Sequence, residues 1–339
     1  MKSDVVLLGH GSGGKLSHQL LDEIIIPHLS GISLKNQNDS AVLPFRGERL
    51  AFTTDSYVVD PIFFAGGNIG DLAVNGTVND LAMAGARPVA LSVGLILEEG
   101  LPLRDLETIV RSMRKAADRA GIAIVTGDTK VVTRGGADKI FINTSGIGVF
   151  DHPHCVAGDG ARVGDRILIN GPVGDHGIAI LAGREGLELG NDIHTDSAPL
   201  NGLVADLLRE WGEAVHVLRD PTRGGVATTL KEIARQSAVD ILLEENAIPV
   251  RPSVEGACAI LGLDPLYVAN EGKVLVFVEG KAASGVLDLL RGHPLGREAA
   301  MIGEVTSGAV AGGKVYLRTA IGGKRIIDML SGEQLPRIC

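Results

Sequence analysis

The sequence predicts an α+β protein made of two mixed α/β domains and a flexible C-terminal tail. Hydrophobic patterns typical of helices and of strands alternate along the chain. The length of 339 residues suits two domains that each have a core. A stretch rich in Gly, Asp and Pro over 151–165 marks a boundary. The predicted parts are a glycine-rich segment (1–40), an N-terminal domain (41–157), a C-terminal domain (158–322) and a mobile tail (323–339).

The N-terminal half alternates strands and helices. The predicted elements are a strand over 5–8, a helix over 16–26, two strand-like runs within 41–59, a helix over 68–83, a strand over 89–97, a helix over 103–117, and strands over 122–125 and 141–150. Apolar residues in 103–117 recur every three to four positions, which indicates a helix with one buried face. Pro27 and Gly121 end two helices, because proline lacks an amide proton and glycine readily leaves the helical conformation.

The C-terminal half has the same mixed pattern. The predicted elements are a strand over 166–170, helices over 175–185, 198–211 and 225–236, strands over 239–243 and 273–278, a helix over 281–291, and strand-like segments up to Leu317. Residues 331–339 have the composition of an unpacked end. No short-period repeat is visible in either half, so a solenoid architecture is excluded.

Composition excludes several classes of function. The chain has 32 Lys and Arg against 41 Asp and Glu, a net charge of −9, which disfavours sequence-independent binding to nucleic acid. Aromatic residues are only 3%, too few for base-stacking platforms. No run approaches the roughly 18 apolar residues of a membrane span, and no signal peptide is visible. Three cysteines indicate a reducing cytoplasm, not a disulfide framework.

The loop over residues 9–15 contains two incomplete nucleotide-binding motifs. Its glycines match the dinucleotide fingerprint, but no acidic residue follows at the required distance. It also lacks one residue of a Walker A loop, because Leu16 stands where a Mg²⁺-binding hydroxyl is required. Adjacent glycines still allow backbone amides to converge on an anion, and Lys15 adds charge. The loop therefore either covers a phosphate or is a plain glycine turn.

Acidic residues beside small polar residues recur at the ends of predicted strands and helices. The sites are Asn38-Asp39-Ser40, Thr53-Thr54-Asp55, Asn79-Asp80, Gly127-Asp128-Thr129 and Asp220-Pro221-Thr222. Carboxylates without cysteine or histidine partners suit Mg²⁺ rather than zinc. Asp71, Asn75 and Asn79 also share one face of the predicted helix. The alternative is a set of solvated turn and cap residues.

Seven motifs in collinear order resemble the HypE family of hydrogenase maturation proteins. They are His10-Gly11-Ser12-Gly13-Gly14, Asp39-Ser40-Ala41-Val42, residues 53–61, residues 76–82, Gly127-Asp128-Thr129-Lys130, residues 220–225 and the terminal residues 336–339. That family is part of the ATP-using superfamily of aminoimidazole ribonucleotide synthetase, selenophosphate synthetase and thiamine monophosphate kinase. The acidic motifs indicate the superfamily, and the terminal Pro-Arg-Ile-Cys indicates this member.

The resemblance implies that Cys339 receives a carbamoyl group, which the protein then dehydrates with ATP to an S-cyanate. The S-cyanate supplies cyanide to the iron of [NiFe] hydrogenase. It assigns Mg²⁺ and the ATP phosphates to Asp39, Asp55, Asp80, Asp128 and Asp220. It assigns the nucleotide to Gly11, Gly13, Gly14, Lys15, Thr54, Asn79, Gly127 and Thr129, within a domain that binds ATP and dimerises through a shared β-barrel. The implied partners are HypF as carbamoyl donor and HypC-HypD as cyanide acceptor.

The predicted catalytic residues are Cys339, Glu271 and Lys130. Glu271 lies in a turn before a strand, an exposed position that suits a general base, and Lys130 would stabilise developing negative charge. Cys339 ends a tether of nine residues that spans roughly 30 Å when extended. Arg337 is expected to lower the pKa of its thiol, and Ile338 to anchor the tail in an apolar slot. Without the resemblance, Glu271 would be interpreted as a turn acid, Lys130 as a surface cation and Cys339 as a free terminal thiol.

Other candidates favour structural roles. The run Asp151-His152-Pro153-His154-Cys155 places its ligands too close together for one tetrahedral site, so we expect a surface loop. Cys258 is expected to be a buried small residue, and His176 a neighbour of a helix cap. Two further functions remain open: a small-molecule kinase or cyclo-ligase of the same superfamily, and a non-catalytic assembly adaptor whose tail docks partners.

Overall fold

The computed structural model describes residues 14–20, 22–23, 41–45, 48–186, 193–308, 313–330 and 337–339. The helices are α1 (Lys15–Leu20), α2 (Ile69–Met83), α3 (Leu103–Ala120), α4 (Asp175–Glu185), α5 (Asn201–Trp211), α6 (Gly225–Gln236), α7 (Pro252–Leu261) and α8 (Ala283–Gly292). None of the helices in these ranges is long and apolar enough to cross a membrane. The predicted strand over 5–8, residues 21 and 24–26 of the predicted helix over 16–26, and Gly11, Gly13 and Asp39 lie outside the described residues.

The N-terminal sheet has five strands in the order β1-β2-β7-β5-β6. These are β1 (Ala41–Phe45), β2 (Glu48–Tyr57), β5 (Arg87–Glu98), β6 (Ala123–Val132) and β7 (Ile140–Val149), and a short ribbon of β3 (Phe63–Phe64) and β4 (Gly67–Asn68) precedes α2. All pairs are antiparallel except β5 with β6. Strand β7 alternates buried and exposed side chains, the pattern of a sheet with one covered face.

Helix α2 covers one face of this sheet and is buried at every residue except Asp80. Its start is fixed by a capping box, in which the Asn68 side chain accepts from Gly70 N and the Asp71 side chain accepts from Asn68 N. Small residues let neighbours approach closely. A Cβ added at Gly76 would overlap the Tyr57 hydroxyl. The N-terminal core therefore forms around α2 and the inner face of the sheet.

The C-terminal sheet has seven strands in the order β14-β13-β10-β12-β8-β11-β9. These are β8 (Arg166–Ile169), β9 (Val215–Arg219), β10 (Val239–Glu244), β11 (Leu275–Val278), β12 (Ala300–Gly308), β13 (Val315–Arg318) and β14 (Lys324–Ile327). Both β9 and β11 are buried throughout, because separate apolar clusters pack on the two faces of this sheet. The fully buried strands deliver the loops that follow or precede them to one edge.

Two acidic motifs that the sequence predicts at the ends of strands lie within strands. Strand β2 runs to Tyr57, so Asp55 lies within it. Strand β6 runs through Gly127, Asp128 and Thr129 to Val132, whereas the sequence predicts an end at Val125. The reason is that Thr126, Thr129, Val131 and Val132 are β-branched and continue to pair with β5 as far as Glu98.

The predicted mobile tail over 323–339 has two described parts, and both pack against the rest of the chain. Residues 324–327 form β14, which pairs with β13 and buries Ile327 completely. At the other end, Ile338 and Cys339 are buried in the N-terminal core. The side chains of Lys324, Arg325 and Ile326 are all exposed, so the segment has the composition of a solvated end while its backbone completes a sheet edge.

Candidate active site

Five segments bring their acidic residues together: the end of β2, the second half of α2, the segment before α5, the loop after β9 and the segment before β11. We call these residues the acidic cluster: Asp55, Asp80, Asp196, Asp220 and Glu271. The effects of these carboxylates on the pKa values of Glu271 and Tyr57 show that they lie close together. Burial, and next the carboxylates of Asp220, Asp55 and Asp196, raise the pKa of Glu271 well above its ordinary value. The pKa of Tyr57 is also raised well above its ordinary value, first by burial and next by Asp55, Asp80 and Glu271.

The loop after β9 lies against the segment before β11. Asp220 follows the last residue of buried β9, and Gly225 then turns the chain into α6 with a φ of 62°. A Cβ at Gly225 would overlap backbone atoms of residues 266–268, so the turn needs glycine. Asn270 ties the two segments, because its backbone N and its Nδ2 both donate to Pro221 O, at 3.2 and 2.9 Å. Asp220 and Glu271 are thereby held side by side.

Glu271 is buried, with 3% of its surface exposed, which corrects the expectation of an exposed turn. Its backbone N donates to Asp196 Oδ1 at 3.0 Å, and its backbone O accepts from Asn79 Nδ2 at 3.2 Å. Within the described part of the chain, its Oε1 has no hydrogen-bond partner. The raised pKa means that the resting carboxyl favours its protonated form. Such a group gains or loses a proton readily when a charged ligand enters.

Cys339 lies in the same site, with 8% of its surface exposed. Burial raises the pKa of its thiol to about 12, the Arg223 guanidinium opposes this shift, and Glu271, Asp55 and Asp220 add to it. The predicted help from Arg337 is wrong. The Arg337 guanidinium lies 2.8 Å from Asp138 Oδ2 and donates to Val58 O. In the docked position the thiol is therefore protonated at neutral pH.

The last three residues are docked by specific hydrogen bonds. Val58 N donates to Cys339 O at 3.1 Å, and Asp60 N donates to Arg337 O at 3.3 Å, so the tail pairs with the backbone beyond β2. The Ile338 side chain, 4% exposed, lies in the N-terminal core, which confirms the predicted apolar slot. The expectation of an unpacked end fails because this slot and its donors belong to distant parts of the chain.

The polar stripe on α2 positions the loops around the cluster. Asn75 Nδ2 donates to Ser197 Oγ at 3.0 Å. Asn79 Nδ2 donates to Ala198 O, and its Oδ1 accepts from Leu200 N at 2.8 Å. Asn79 is also buried at 1% exposure, so its polar atoms hold the backbone and do not face an open nucleotide site. The stripe explains why a helix interior carries polar residues, and the contact of Asn79 with nucleotide stays a prediction.

Asp80, the one residue of α2 that is not fully buried, accepts from Thr53 Oγ1 at 2.8 Å. Thr53 and Asp55 lie on the face of β2 that packs against α2, whereas Thr54 lies on the other face. There Thr54 Oγ1 is 2.9 Å from Ser145 Oγ and donates to Thr144 O. The structure thus brings Asp55 and Asp80 together and separates Thr54 from them.

Asp128 and Lys130 lie away from the acidic cluster. Asp128 shares a row of the sheet with Gly94, Asn143 and Ser56, so it projects from the face opposite to that of Asp55. Its Oδ2 accepts from Lys130 Nζ at 2.6 Å, and both side chains are 70% exposed. Lys130 lowers the pKa of Asp128 through this bond. Within one chain, the predicted contact of Lys130 with the reacting group does not form.

The rest of the Gly127-Asp128-Thr129 motif shapes this edge strand. A Cβ at Gly127 would come within 2.6 Å of Val93 O, so glycine lets β6 lie close to β5. Thr129 N donates to Asp128 Oδ1 at 2.9 Å. A cavity of about 440 Å³ lies on this face between Ser56, Asn143, Asp128 and Lys130. The motif therefore faces a largely apolar hollow on the sheet surface, which Ile96 and Phe141 also line.

Gly14 and Lys15 lie at the start of α1. Lys15 N donates to Leu330 O at 3.0 Å, and a Cβ at Gly14 would come within 2.7 Å of the same oxygen. The helix is held further by His18, whose Nε2 lies 2.9 Å from Glu232 Oε1 on α6. The Lys15 side chain is exposed. No described contact joins it to the acidic cluster, so its role over a phosphate stays a prediction.

A metal site is not preformed in the described ranges, where no group of three or more His, Cys, Asp or Glu side chains is arranged to hold an ion. Asp39, one of the five predicted ligands, lies outside those ranges, and Asp128 lies on the other face of the sheet. The chemistry of the remaining donors does suit a hard cation. Asp55, Asp80 and Asp220 supply only oxygen, and the buried Glu271 has an unpaired oxygen beside them.

Sequence reasoning missed three residues of the site. Arg223 was visible in the motif at 220–225, but nothing there indicated that its guanidinium would face Cys339. Asp196, whose Oδ2 lies 2.7 Å from Lys273 Nζ, follows a stretch without a recognisable pattern. His176 was expected to be a neighbour of a helix cap, yet its buried ring donates to the tail. Only Arg223 had a signal that a sequence reading can use.

Cys258 and the run from Asp151 to Cys155 have structural roles, as predicted. Cys258 is buried, and its burial raises the pKa of its thiol to about 11. Cys155 is exposed. The rings of His152 and His154 stack with centroids 5.0 Å apart, and Arg49 donates to both of their backbone oxygens. The run from Asp151 to Cys155 is thus a packed connection between the two domains.

Comparisons with known proteins agree with this architecture. The family described as AIR synthase related protein matches through its N-terminal domain over residues 37–150 and its C-terminal domain over residues 162–315. A carbamoyl dehydratase HypE from Cupriavidus necator is 52% identical over 100% of this chain and 96% of its own length. One from Escherichia coli is 48% identical over 98% of this chain and 99% of its own length.

Solved structures agree as well. HypE in complex with ATP is 54% identical, with a TM-score of 0.83, and the match covers 99% of this chain and 100% of that one. HypE in a HypE-HypF complex is 46% identical, with a TM-score of 0.87, and the match covers 92% and 99% of the two chains. The chain is an enzyme of the AIR synthase related superfamily, and within it the chain belongs to the HypE family of carbamoyl dehydratases.

Proposed function

We propose that this protein dehydrates a carbamoyl group carried on the Cys339 sulfur to an S-cyanate, at the expense of ATP. The observation that carries the proposal is the docking of the Cys339 thiol between Arg223 and Glu271 inside the acidic cluster. A small-molecule enzyme would have no use for a protein thiol sealed in its active site. The relative solved with ATP supports the choice of nucleotide.

The reaction balances as ATP plus R–S–C(=O)–NH₂ giving ADP, phosphate, R–S–C≡N and one proton. The carbonyl oxygen attacks the γ-phosphorus, the bond from phosphorus to the β–γ bridging oxygen breaks, and ADP leaves. One N–H proton departs as the C=N bond forms. The carbon–oxygen bond then breaks to release phosphate, and the second N–H proton departs as C≡N forms. The released phosphate takes up one of the two protons, which leaves one proton in the overall balance. Phosphorylation is needed because an amide oxygen is a poor leaving group and phosphate is a good one.

Glu271 accepts a proton from the nitrogen in this scheme. It lies beside the docked sulfur, and its unpaired Oε1 is free to face the amide. The carboxyl must first lose its own proton, and cations entering with the nucleotide favour that loss because they offset the neighbouring carboxylates. Arg223 stabilises the negative charge at the carbamoyl oxygen during phosphoryl transfer.

We propose that Mg²⁺ binds with the triphosphate between Asp55, Asp80 and Asp220. When bound, the ion neutralises phosphate charge and fixes the direction of in-line attack. The acidic cluster suits this role since it offers several oxygens and no sulfur or imidazole ligand. Its carboxylates repel one another, which the raised pKa of Glu271 reflects, so a divalent ion relieves that repulsion.

Carbamoyl loading requires that the tail leave this site. The docked thiol is protonated and buried, and the acyl-accepting form is an accessible thiolate. We propose that the tail is loaded outside by HypF, returns for dehydration, and then leaves to pass cyanide to HypC-HypD. The structure of a HypE-HypF complex of a relative supports the first partner.

We also propose a homodimer that pairs the N-terminal sheets. Strand β6 is an edge strand that is exposed almost throughout. The face that carries Lys130 also exposes Phe52, Ile96 and Ile147, at 43, 43 and 37%. An exposed edge next to an apolar face favours association with a second copy, which would close the two sheets into a barrel. Lys130 keeps its proposed catalytic role only if the two copies meet at this edge.

The test is the intact mass of the C-terminal peptide after incubation with the carbamoyl donor enzyme and ATP. We expect a carbamoyl adduct on Cys339 that loses the mass of one water only when ATP is present. The matched control is Cys155→Ser, which removes an exposed thiol outside the site and should leave both adducts intact. An adduct that persists in Cys339→Ser, or water loss without ATP, would exclude the proposal.

A further inference from the structure

The ring of His176 links the tail to the scaffold of the acidic cluster. His176 lies in the first turn of α4, and its side chain has no exposed surface. Its Nε2 is 2.9 Å from the carbonyl oxygen of Ile338, the group that forms the peptide bond to Cys339. A bond at this carbonyl fixes the last peptide plane and hence the direction in which the Cys339 side chain leaves the backbone.

The hydrogen-bond network determines which nitrogen carries the proton. Ser197 N donates to Thr195 Oγ1 at 3.1 Å, so the hydroxyl proton of Thr195 is free to donate elsewhere. That hydroxyl lies 2.7 Å from His176 Nδ1. A carbonyl oxygen only accepts, so Nε2 must donate to Ile338, and Nδ1 then accepts from Thr195. Burial lowers the pKa of His176, in agreement with this neutral ring.

The segment that orients the ring also holds the proposed base. Asp196, next to Thr195, accepts from Glu271 N at 3.0 Å and lies 2.7 Å from Lys273 Nζ. A Cβ at Gly272 would overlap the Asp196 carbonyl oxygen, so the two segments touch through their backbones. The same short segment, residues 195–197, therefore contacts both His176, which holds the tail, and the backbone of Glu271.

Other anchors of the tail act further from the sulfur. Arg184 donates to the carbonyl oxygens of Arg337 and Asp60, and the Arg337 side chain reaches Asp138. These contacts hold the residue two positions before Cys339. Among the described contacts, the one from His176 is the side-chain hydrogen bond nearest to the thiol along the tail.

We propose that His176 is the positioning residue of the tail: its bond to Ile338 sets the Cys339 sulfur against Glu271, and it must break each time the tail leaves the site. The free energy of this bond favours the docked tail over the released tail. Its loss would release the tail more often, which exposes the thiol, and would slow any step that requires the docked sulfur. The effect on turnover rests on the proposed function, whereas the effect on exposure does not.

The first test measures alkylation of the unmodified protein by iodoacetamide, with neither ATP nor carbamoyl donor present. His176→Leu removes the donor and leaves a buried carbonyl unpaired, so alkylation of Cys339 should rise about 10-fold. His176→Gln keeps a side-chain N–H donor and should lie much nearer to the native rate. Cys258, which is buried, and Cys155, which is exposed, are references within the same molecule. Equal Cys339 rates in the native protein and His176→Leu, or an equal rise at Cys258, would overturn the proposal.

Two further measurements keep the inference testable if His176→Leu fails to fold. Thr195→Val removes the hydroxyl that orients the ring at nearly constant volume, and it should raise Cys339 alkylation without raising that of Cys258. In the native protein, the ¹⁵N shifts of His176 should show a neutral ring with its proton on Nε2. A proton on Nδ1 alone would contradict the assignment. Neither measurement depends on dehydration, so their failure is distinct from failure of the proposed function.

A turnover experiment that starts from carbamoyl-Cys339 distinguishes a positioning role of His176 from general damage to the fold. In His176→Leu, dehydration of carbamoyl-Cys339 should slow about 10-fold in a single turnover, whereas carbamoyl loading should proceed at least as fast as in the native protein. His176→Gln should restore most of the dehydration rate. Equal slowing of loading and dehydration would show a damaged fold and overturn the positioning role.

Discussion

The Arg223 guanidinium faces the Cys339 thiol, and it is the cation that most favours the thiolate there. Burial nevertheless outweighs this attraction and raises the pKa of the thiol to about 12. The docked tail therefore carries a neutral sulfur beside a permanent positive charge. The arrangement suits a site that binds a neutral thiocarbamate and develops negative charge on its oxygen only during phosphoryl transfer.

The first prediction concerns the pH dependence of Cys339 alkylation. A thiol with a raised pKa stabilises the docked state while it is protonated, and this stabilisation is lost as the pH rises from the ordinary value toward about 12. The alkylation rate of Cys339 should therefore keep rising about tenfold per pH unit up to roughly pH 10.5. The measurement is the peptide-resolved alkylation rate by mass spectrometry.

The control for this profile is a synthetic peptide with the sequence of residues 331–339. Its cysteine is free, with a pKa of about 8.5, so its rate should level off above roughly pH 9.5. A protein profile that levels off together with the peptide would mean that the thiol is not held in the buried position.

The second prediction concerns Glu271→Gln. The amide cannot accept a proton, so dehydration of the carbamoylated tail should slow about 100-fold or more, while carbamoyl loading outside the site continues. Single-turnover mass spectrometry measures the two steps separately. Glu279→Gln, a change of the same kind at a half-exposed carboxylate outside the cluster, should leave both rates unchanged. Full dehydration in Glu271→Gln would remove the residue from the mechanism.

The third prediction concerns the close approach of α2 to β2. In Gly76→Ala the new Cβ would overlap the Tyr57 hydroxyl, and we expect a loss of roughly 1–3 kcal/mol in the free energy of unfolding. Tyr57→Phe removes that oxygen, so Gly76→Ala should lose less in this background. Gly256→Ala on α7 meets no neighbour and should instead gain up to about 1 kcal/mol from helix propensity. Urea unfolding of the native protein, the three single variants and the double variant decides the matter.

The fourth prediction concerns the buried pair of Lys273 and Asp196. Burial alone would raise the pKa of Asp196, but the Lys273 ammonium lowers it below its ordinary value. Stability from this carboxylate is therefore present at neutral pH and lost as the pH falls through the acid range. Lys273→Met leaves a buried charge unpaired and should lower the free energy of unfolding by about 3 kcal/mol at neutral pH, and by less near pH 4.

The matched change for Lys273→Met is at an exposed ion pair. Asp118→Asn breaks the 2.7 Å pair with Arg114 on α3, where both side chains are largely solvated, and should cost less than about 1 kcal/mol. Similar losses in the two variants, or a loss in Lys273→Met that does not shrink toward acid pH, would contradict the argument.

The fifth prediction concerns the open face of the N-terminal sheet. Ile96→Asp places a charge on the exposed apolar face beside β6 and should shift a dimer toward monomer, measured by size-exclusion chromatography with light scattering. Ile321→Asp, at a 96% exposed residue of the C-terminal domain, should leave the mass unchanged. A native protein that is monomeric at every concentration would exclude the proposed dimer.

Local signals predicted much of the fold and the ends of several elements. The capping residues Asn68 and Asp71 fixed the start of α2 within one residue of the expectation, since a capping box is a short-range pattern. Gly121, which was expected to end α3, does so in the left-handed conformation with a φ of 69°. Both patterns lie within a few residues of one another in sequence, which is why one sequence suffices to read them.

Long-range packing decided what the sequence left open. Glu271 lies in a turn, which suggests exposure, but the segment around Asp196 covers it. Asp128 follows small residues like the other acids, yet the register of β6 directs it to the opposite face. The tail resembles a solvated end, and its slot is formed by residues near Val58 and His176, more than 160 positions away. No local pattern carries such information.

The burial of Ile338 in the N-terminal core also constrains the order in which the chain folds during synthesis. The Arg337 side chain reaches Val58 O across 279 positions of the sequence. During synthesis the first domain must therefore form with a gap in its apolar interior, since the residue that fills it emerges from the ribosome almost 200 residues after the last strand of that domain. The entropic cost of closing a loop grows only slowly with its length. The delay before Ile338 docks is therefore set by the time of translation and not by the time that the tail needs to find its site.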